Sequence, residues 1–193
     1  MKTYLFIDGT NLYASQFQLF GPQKYLDFSA FIKEVEKKIK IHFNKIYFYA
    51  SYSPKPKRLN KKQILYLKNE ALFYKNVKKT KNVFFFKGYR SKTSGKEKEV
   101  DVKLAVDIVD FAHINKYQSI CLFSGDADFM HALKIAEGLN KKVFILATEN
   151  RIPNRFTYIY KTFVFSFYKK IQILTGQKIQ VIALGVTKML KKI

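Results

Sequence analysis

Only seven aspartates occur in the chain, and three of them directly follow apolar runs of strand character. Tyr4-Leu-Phe-Ile7 leads into Asp8, and Ile120-Cys-Leu-Phe123 leads through Ser124 and Gly125 to Asp126 and Asp128. If both runs are neighbouring strands, their ends place three carboxylates on one rim. Gly9 and Gly125 would let backbone approach a ligand closely where a side chain would block it. Clustered carboxylates repel one another, and a cation relieves that repulsion. Hard divalent ions such as Mg²⁺ take carboxylate oxygens and keep positions open for water and phosphate. Helix capping is the plainer use of any one aspartate, and it explains the set less well.

Asp101 enters by a separate argument. At about 100° per residue, Lys103, Asp107 and Asp110 share a polar stripe of the helix expected from Val100 to Ala112, while Asp101 faces nearly the opposite, apolar side. An inward carboxylate needs a partner, either the helix N-terminus or a metal shared with Asp8 and Asp126. Asp107 is expected on the solvent side as the i,i+4 partner of Lys103. Asn11 and Ser124 are placed to hold a phosphate oxygen or to support the acidic residues.

The elements that must position these groups alternate. Strands are expected at 4–7, 45–50, 83–86, 120–123 and 143–147, because short apolar runs rich in β-formers read as strands buried on both faces. Helices are expected at 28–41, 59–79, 100–112 and 128–139 from their amphipathic or apolar spacing. Asp8 to Asn11 reads as a turn, and 88–99 as a polar loop. Such alternation defines an α/β fold with a mainly parallel sheet of about five strands covered on both faces. Ligands then bind beyond the carboxyl ends of the strands.

The chain has 193 residues, 48% hydrophobic and 17% aromatic, enough for one domain with a proper core. Lys and Arg number 36 against 14 Asp and Glu, a formal charge of +22. Such a field attracts polyanions by releasing their counterions, and nucleic acid is the first partner to consider. The single cysteine, Cys121, excludes an internal disulfide and a cysteine metal cage. With no apolar stretch near the ~18 residues that cross a bilayer, a cytoplasmic protein without membrane contact is expected.

Phe6-Ile-Asp-Gly-Thr-Asn-Leu12, Lys98-Glu-Val-Asp-Val-Lys-Leu-Ala-Val-Asp-Ile108 and Ser124-Gly-Asp-Ala-Asp-Phe129 together resemble the three motifs of the NYN domain, in particular its LabA-like branch, within the PIN-like nucleases. The resemblance implies a three-layer, Rossmann-like fold over residues 1–150, with 151–193 as an extension packed on the same domain. It also implies Mg²⁺- or Mn²⁺-dependent endoribonuclease chemistry, with Asp8, Asp101, Asp126 and Asp128 at the family's acidic positions. His131 stands where the family usually has proline, and the tail from Arg151 lacks the pattern expected after the last core strand.

Between Lys55 and Lys98, fifteen Lys or Arg residues face two acidic ones, Glu70 and Glu97. Phosphate contacts are the natural use of the loop residues Arg90, Lys92, Lys96 and Lys98, whereas Lys68, Lys75, Lys78 and Lys79 read as a solvated helix face. Tyr13, Phe17 and Phe20 are either core or stacking partners for unpaired bases, and the same choice applies to Tyr158, Tyr160 and Phe163. An aromatic tail of this kind would also offer a homodimer interface. His42, His113 and His131 show no zinc spacing. A haloacid dehalogenase-type phosphatase shares Asp-Gly-Thr after its first strand, but its nucleophilic Asp would fall at Phe6. The competing classes are a non-catalytic RNA-binding module and a nuclease for DNA.

Overall fold

The computed structural model describes residues 1–20, 24–55, 58–91, 97–148, 179–184 and 190–192. Strand β1 (Thr3–Asp8) is buried along its whole length, as a central strand of a parallel sheet must be. Helix α1 (Gly9–Phe20) follows with no intervening loop, then the short strand β2 (Lys24–Leu26), helix α2 (Phe28–Ile39) and strand β3 (Lys45–Ala50). Asp27 caps α2 by accepting from Ala30 N, and the left-handed Lys40 at φ 56° ends it. Helix α3 (Lys61–Lys79) starts at a capping box in which Asn60 and Gln63 satisfy each other's backbone N–H groups.

Strand β4 (Val83–Lys87) is followed by a small hairpin of β5 (Tyr89–Arg90) and β6 (Glu97–Lys98), and then by helix α4 (Val100–His113). Strand β7 (Ser119–Phe123) leads through a 3-10 turn at Ala127–Phe129 to helix α5 (Met130–Gly138) and strand β8 (Lys142–Thr148). Beyond it, β9 (Ile179–Leu184) pairs with β8 in parallel, and β10 (Leu190–Lys192) pairs antiparallel with β2.

The main sheet runs β4-β3-β1-β7-β8-β9 with every pairing parallel. Counting only its members, that order is 3-2-1-4-5-6, the doubly wound arrangement whose order reverses between the first and fourth strands. Here the reversal falls between β1 and β7.

Alternation along each strand splits the core in two. Leu5, Ile7, Ile46, Phe48, Cys121 and Phe123 pack with residues of α1, α2 and α3 on one face. Tyr4, Phe6, Tyr49, Ile120 and Leu122 pack under α4 and α5 on the other. Phe48 is the hub of the first face, with the rings of Phe28, Phe73, Tyr74 and Phe85 at 5.5, 6.0, 5.8 and 5.3 Å. Burial pushes the Cys121 thiol above its ordinary pKa, which fits a packing role rather than a reactive one. No helix among the described residues is long and apolar enough to cross a membrane.

The structure corrects several expectations. The turn expected after Asp8 is the first turn of α1, because Gly9 to Phe20 buries Leu12, Tyr13 and Gln16 at helical spacing. The polar loop at 88–99 contains the β5–β6 hairpin. Helix α4 buries one stripe, and its apolar residues Val102 and Val106 are 68% and 54% exposed. Tyr158, Tyr160 and Phe163 lie outside the described residues.

Candidate active site at the carboxyl rim of the sheet

Asp8 closes β1 and is 6% exposed, a degree of burial that a carboxylate reaches only with partners. Its Oδ1 accepts the backbone N–H of Asn11 at 2.9 Å, which caps the first turn of α1. Its Oδ2 accepts the Ser124 hydroxyl at 3.1 Å from across the β1–β7 reversal. Ser124 Oγ in turn accepts the Asp126 N–H at 3.0 Å, and Asp126 Oδ1 accepts the Asp128 N–H at 2.9 Å. Asp8 at the end of β1 and three residues that follow β7 are thus joined by one run of hydrogen bonds at the place where doubly wound sheets bind ligands. The capping use foreseen for a single aspartate is met at Asp8, but only one of its oxygens serves it.

Exposure rises along this run: Asp8 and Ser124 are buried, Asp126 is half-buried and Asp128 is exposed. Asn11 is half-buried beside Asp8. Asp101 lies in the first turn of α4 and is exposed, so the apolar side assigned to it from helix geometry is wrong. Among the described residues, no three His, Cys, Asp or Glu side chains lie close enough together to hold a metal ion.

Asp107 reverses its expected place as well. It is 7% exposed, accepts the Tyr49 hydroxyl at 2.8 Å and pairs with Lys103 Nζ at 2.6 Å. The i,i+4 pair with Lys103 stands, but it sits against the sheet. Burial, and then the Asp107 charge, push Tyr49 far above its ordinary pKa, so its hydroxyl keeps the proton that it donates. Burial with the neighbouring Tyr4 and Asp107 raises Tyr47 to about 12. Asp107→Ala should cost about 1–3 kcal/mol by leaving the buried Tyr49 hydroxyl without its acceptor. Tyr49→Phe in that background should restore part of the loss, as a double-mutant cycle of urea unfolding will measure.

Glu70 is a buried carboxylate that sequence reasoning passed over. It is 3% exposed and takes the Ser53 N–H at 2.9 Å and the Ser53 hydroxyl at 2.6 Å, which fixes the chain leaving β3. The signal was present, because Glu70 lies three residues after Leu67 and four before Tyr74 on the apolar stripe of α3. Arg90, named for phosphate, is half-buried and donates its Nε to the Tyr52 carbonyl at 2.7 Å, bracing the same segment. Lys98 is exposed on β6, while Lys92 and Lys96 lie outside the described residues. Tyr13 is core: its ring is buried and its hydroxyl donates to the Tyr66 carbonyl. Phe17 is half-buried, with its ring 4.6 Å from that of Tyr66. The side chain of Phe20 lies outside the description.

A parallel three-layer sheet with carboxylates at its order reversal defines the class of α/β domains to which PIN-like nucleases belong. The chain belongs to the NYN domain family, whose family model matches residues 2–167. Among solved structures, a crystal structure of a protein of unknown function from Vibrio parahaemolyticus is similar at 18% identity and a TM-score of 0.58, covering 98% of this chain and 96% of that one. At that identity the likeness concerns the fold. None of the curated proteins matches the chain in sequence.

Proposed function

We propose that the chain is a divalent-metal-dependent endoribonuclease of the LabA-like branch of the NYN family. The observation that carries this reading is the run Asp8–Ser124–Asp126–Asp128 across the β1–β7 reversal. It lies in a chain of charge +22 whose family falls within the PIN-like nucleases. The candidate ligands are Asp8, Asp101, Asp126 and Asp128, all hard oxygen donors suited to Mg²⁺ or Mn²⁺; no three of them are gathered in the present arrangement, so an ion would have to draw them together. When bound, such an ion polarises a phosphodiester oxygen and lowers the pKa of an attacking water.

The chain's own residues supply the rest. Ser124 and the Asn11 N–H hold the Asp8 carboxylate in one orientation. The positive end of the α1 dipole adds attraction for phosphate at the same rim. Lys98, Lys92 and Lys96 supply backbone contacts, and Arg90 shares that duty with its hold on Tyr52.

Cleavage of end-labelled single-stranded RNA and of the matching DNA, with Mg²⁺, with Mn²⁺ and with EDTA, tests the proposal. RNA cutting that needs either metal and stops with EDTA is the expected result. Tight RNA binding without cutting under any metal condition would return the chain to the class of regulatory RNA-binding modules. Preferential cutting of DNA would keep the chemistry and change the substrate.

A further inference from the structure

Resting on the nuclease reading, we propose that Tyr89 is the stacking platform for an unpaired base next to the acidic centre. Lys98, opposite it on the hairpin, would hold that nucleotide's phosphate. The aromatic residues nominated from sequence for stacking do not serve, since Tyr13 is buried and Phe17 packs on Tyr66. Among the described residues, the large exposed aromatics are Tyr89 at 57% and Phe84 at 49%. Phe84 is already engaged, stacked on Tyr47 at 5.2 Å with the Lys45 ammonium 5.2 Å from its ring centre.

Tyr89 is turned outward by strand alternation. Arg90, the next residue, is drawn inward by its bond to the Tyr52 carbonyl, so Tyr89 must face away. In the antiparallel pairing its partner is Lys98, which places both side chains on one face of the hairpin. Lys98 is itself exposed. An aromatic face beside an ammonium is a recurrent device for single-stranded nucleic acid, since every base offers a π-face and every nucleotide a phosphate.

The hairpin is fixed to the rim that holds Asp8. Gly88 N donates to the Ala50 carbonyl at 3.0 Å, at the end of the strand that pairs with β1 and one residue past Tyr49, the register partner of Asp8. A side chain at Gly88 would meet Val100 Cγ2 at 2.2 Å and the Lys98 carbonyl oxygen at 3.0 Å. The base of the hairpin is therefore closely packed on the helix start that bears Asp101. Tyrosine has few rotatable bonds, so a ring mounted this way loses little freedom on binding.

The test uses the whole chain in EDTA with a single-stranded RNA oligomer carrying 2-aminopurine at each position in turn, and with the same oligomer annealed to its complement. Wild type and Tyr89→Phe are expected to quench one labelled position and to bind alike. Tyr89→Leu should bind the single strand on the order of 10-fold more weakly, without that quench, and bind the duplex unchanged. Equal affinity and quenching by Tyr89→Leu, in a variant that melts like wild type, overturns the stacking role and leaves the nuclease reading standing. If wild type binds neither RNA form, the nucleic-acid reading falls and this inference with it.

Discussion

Asp8→Asn should lower metal-dependent cleavage by at least about 100-fold while the protein stays folded, because it removes charge and changes little else. The asparagine carbonyl can keep the Asn11 N–H that Asp8 Oδ1 now accepts. Its amide group then faces Ser124 Oγ, which must turn from donor to acceptor while still receiving the Asp126 N–H. That rearrangement costs about 1 kcal/mol, a small part of the stability of a domain this size. RNA affinity in EDTA should hold or rise, since one negative charge leaves a surface that receives phosphate. Parallel cleavage, melting and binding measurements separate the effects. Undiminished cleavage by Asp8→Asn would remove Asp8 from the site.

Gly9→Ala, one residue further on, should instead strike the fold. An alanine Cβ there would lie 2.0 Å from Phe48 Cε1 and 2.4 Å from Cζ. Phe48 is fully buried and hemmed by four rings, so it has no room to swing away. Alanine is the better helix former by about 1 kcal/mol at most, and overpacking of this kind costs about 1–3 kcal/mol or more. The clash wins. A fall in melting temperature of roughly 2–4 °C per kcal/mol is expected for a chain of this length. Phe48→Leu will lower stability by itself, but Gly9→Ala should cost less in that background. A neutral or stabilising Gly9→Ala would show that the ring does not press on Gly9.

Much of this architecture is legible in the residues. Four of the five apolar runs are readable as strands because the parallel sheet covers both their faces, and the edge strand β4 is readable from its Phe run although Phe84 is exposed. Asp8, Ser124 and Asp126 converge because they end neighbouring strands, which strand ends alone suggested. What failed was the reading of helix starts and helix faces. Helix α1 was hidden behind an Asp-Gly-Thr-Asn signature that reads as a turn, though here the aspartate caps the helix that follows. Asp101 and Asp107 exchanged places because angular position says which side a residue faces, not whether anything covers that side. The sheet lies under Asp107, where Tyr49 reaches up to meet it. Pairing of Leu190–Lys192 with Lys24–Leu26 joins segments over 160 residues apart, and no local pattern announces it.

The central place of β1 also sets an order in time. A ribosome delivers Asp8 early, and β3 and β4 can join β1 on one side soon afterwards. The other side of β1 stays open until β7 emerges, and the Ser124 hydroxyl that orients Asp8 arrives only then. A partly synthesised chain therefore carries its basic loops and its first aspartate well before that aspartate has its partner. Parallel pairing across such a separation is slow to form, which lengthens the interval. On the proposed nuclease reading, the nascent chain would present its phosphate-binding loops before its acidic rim is complete.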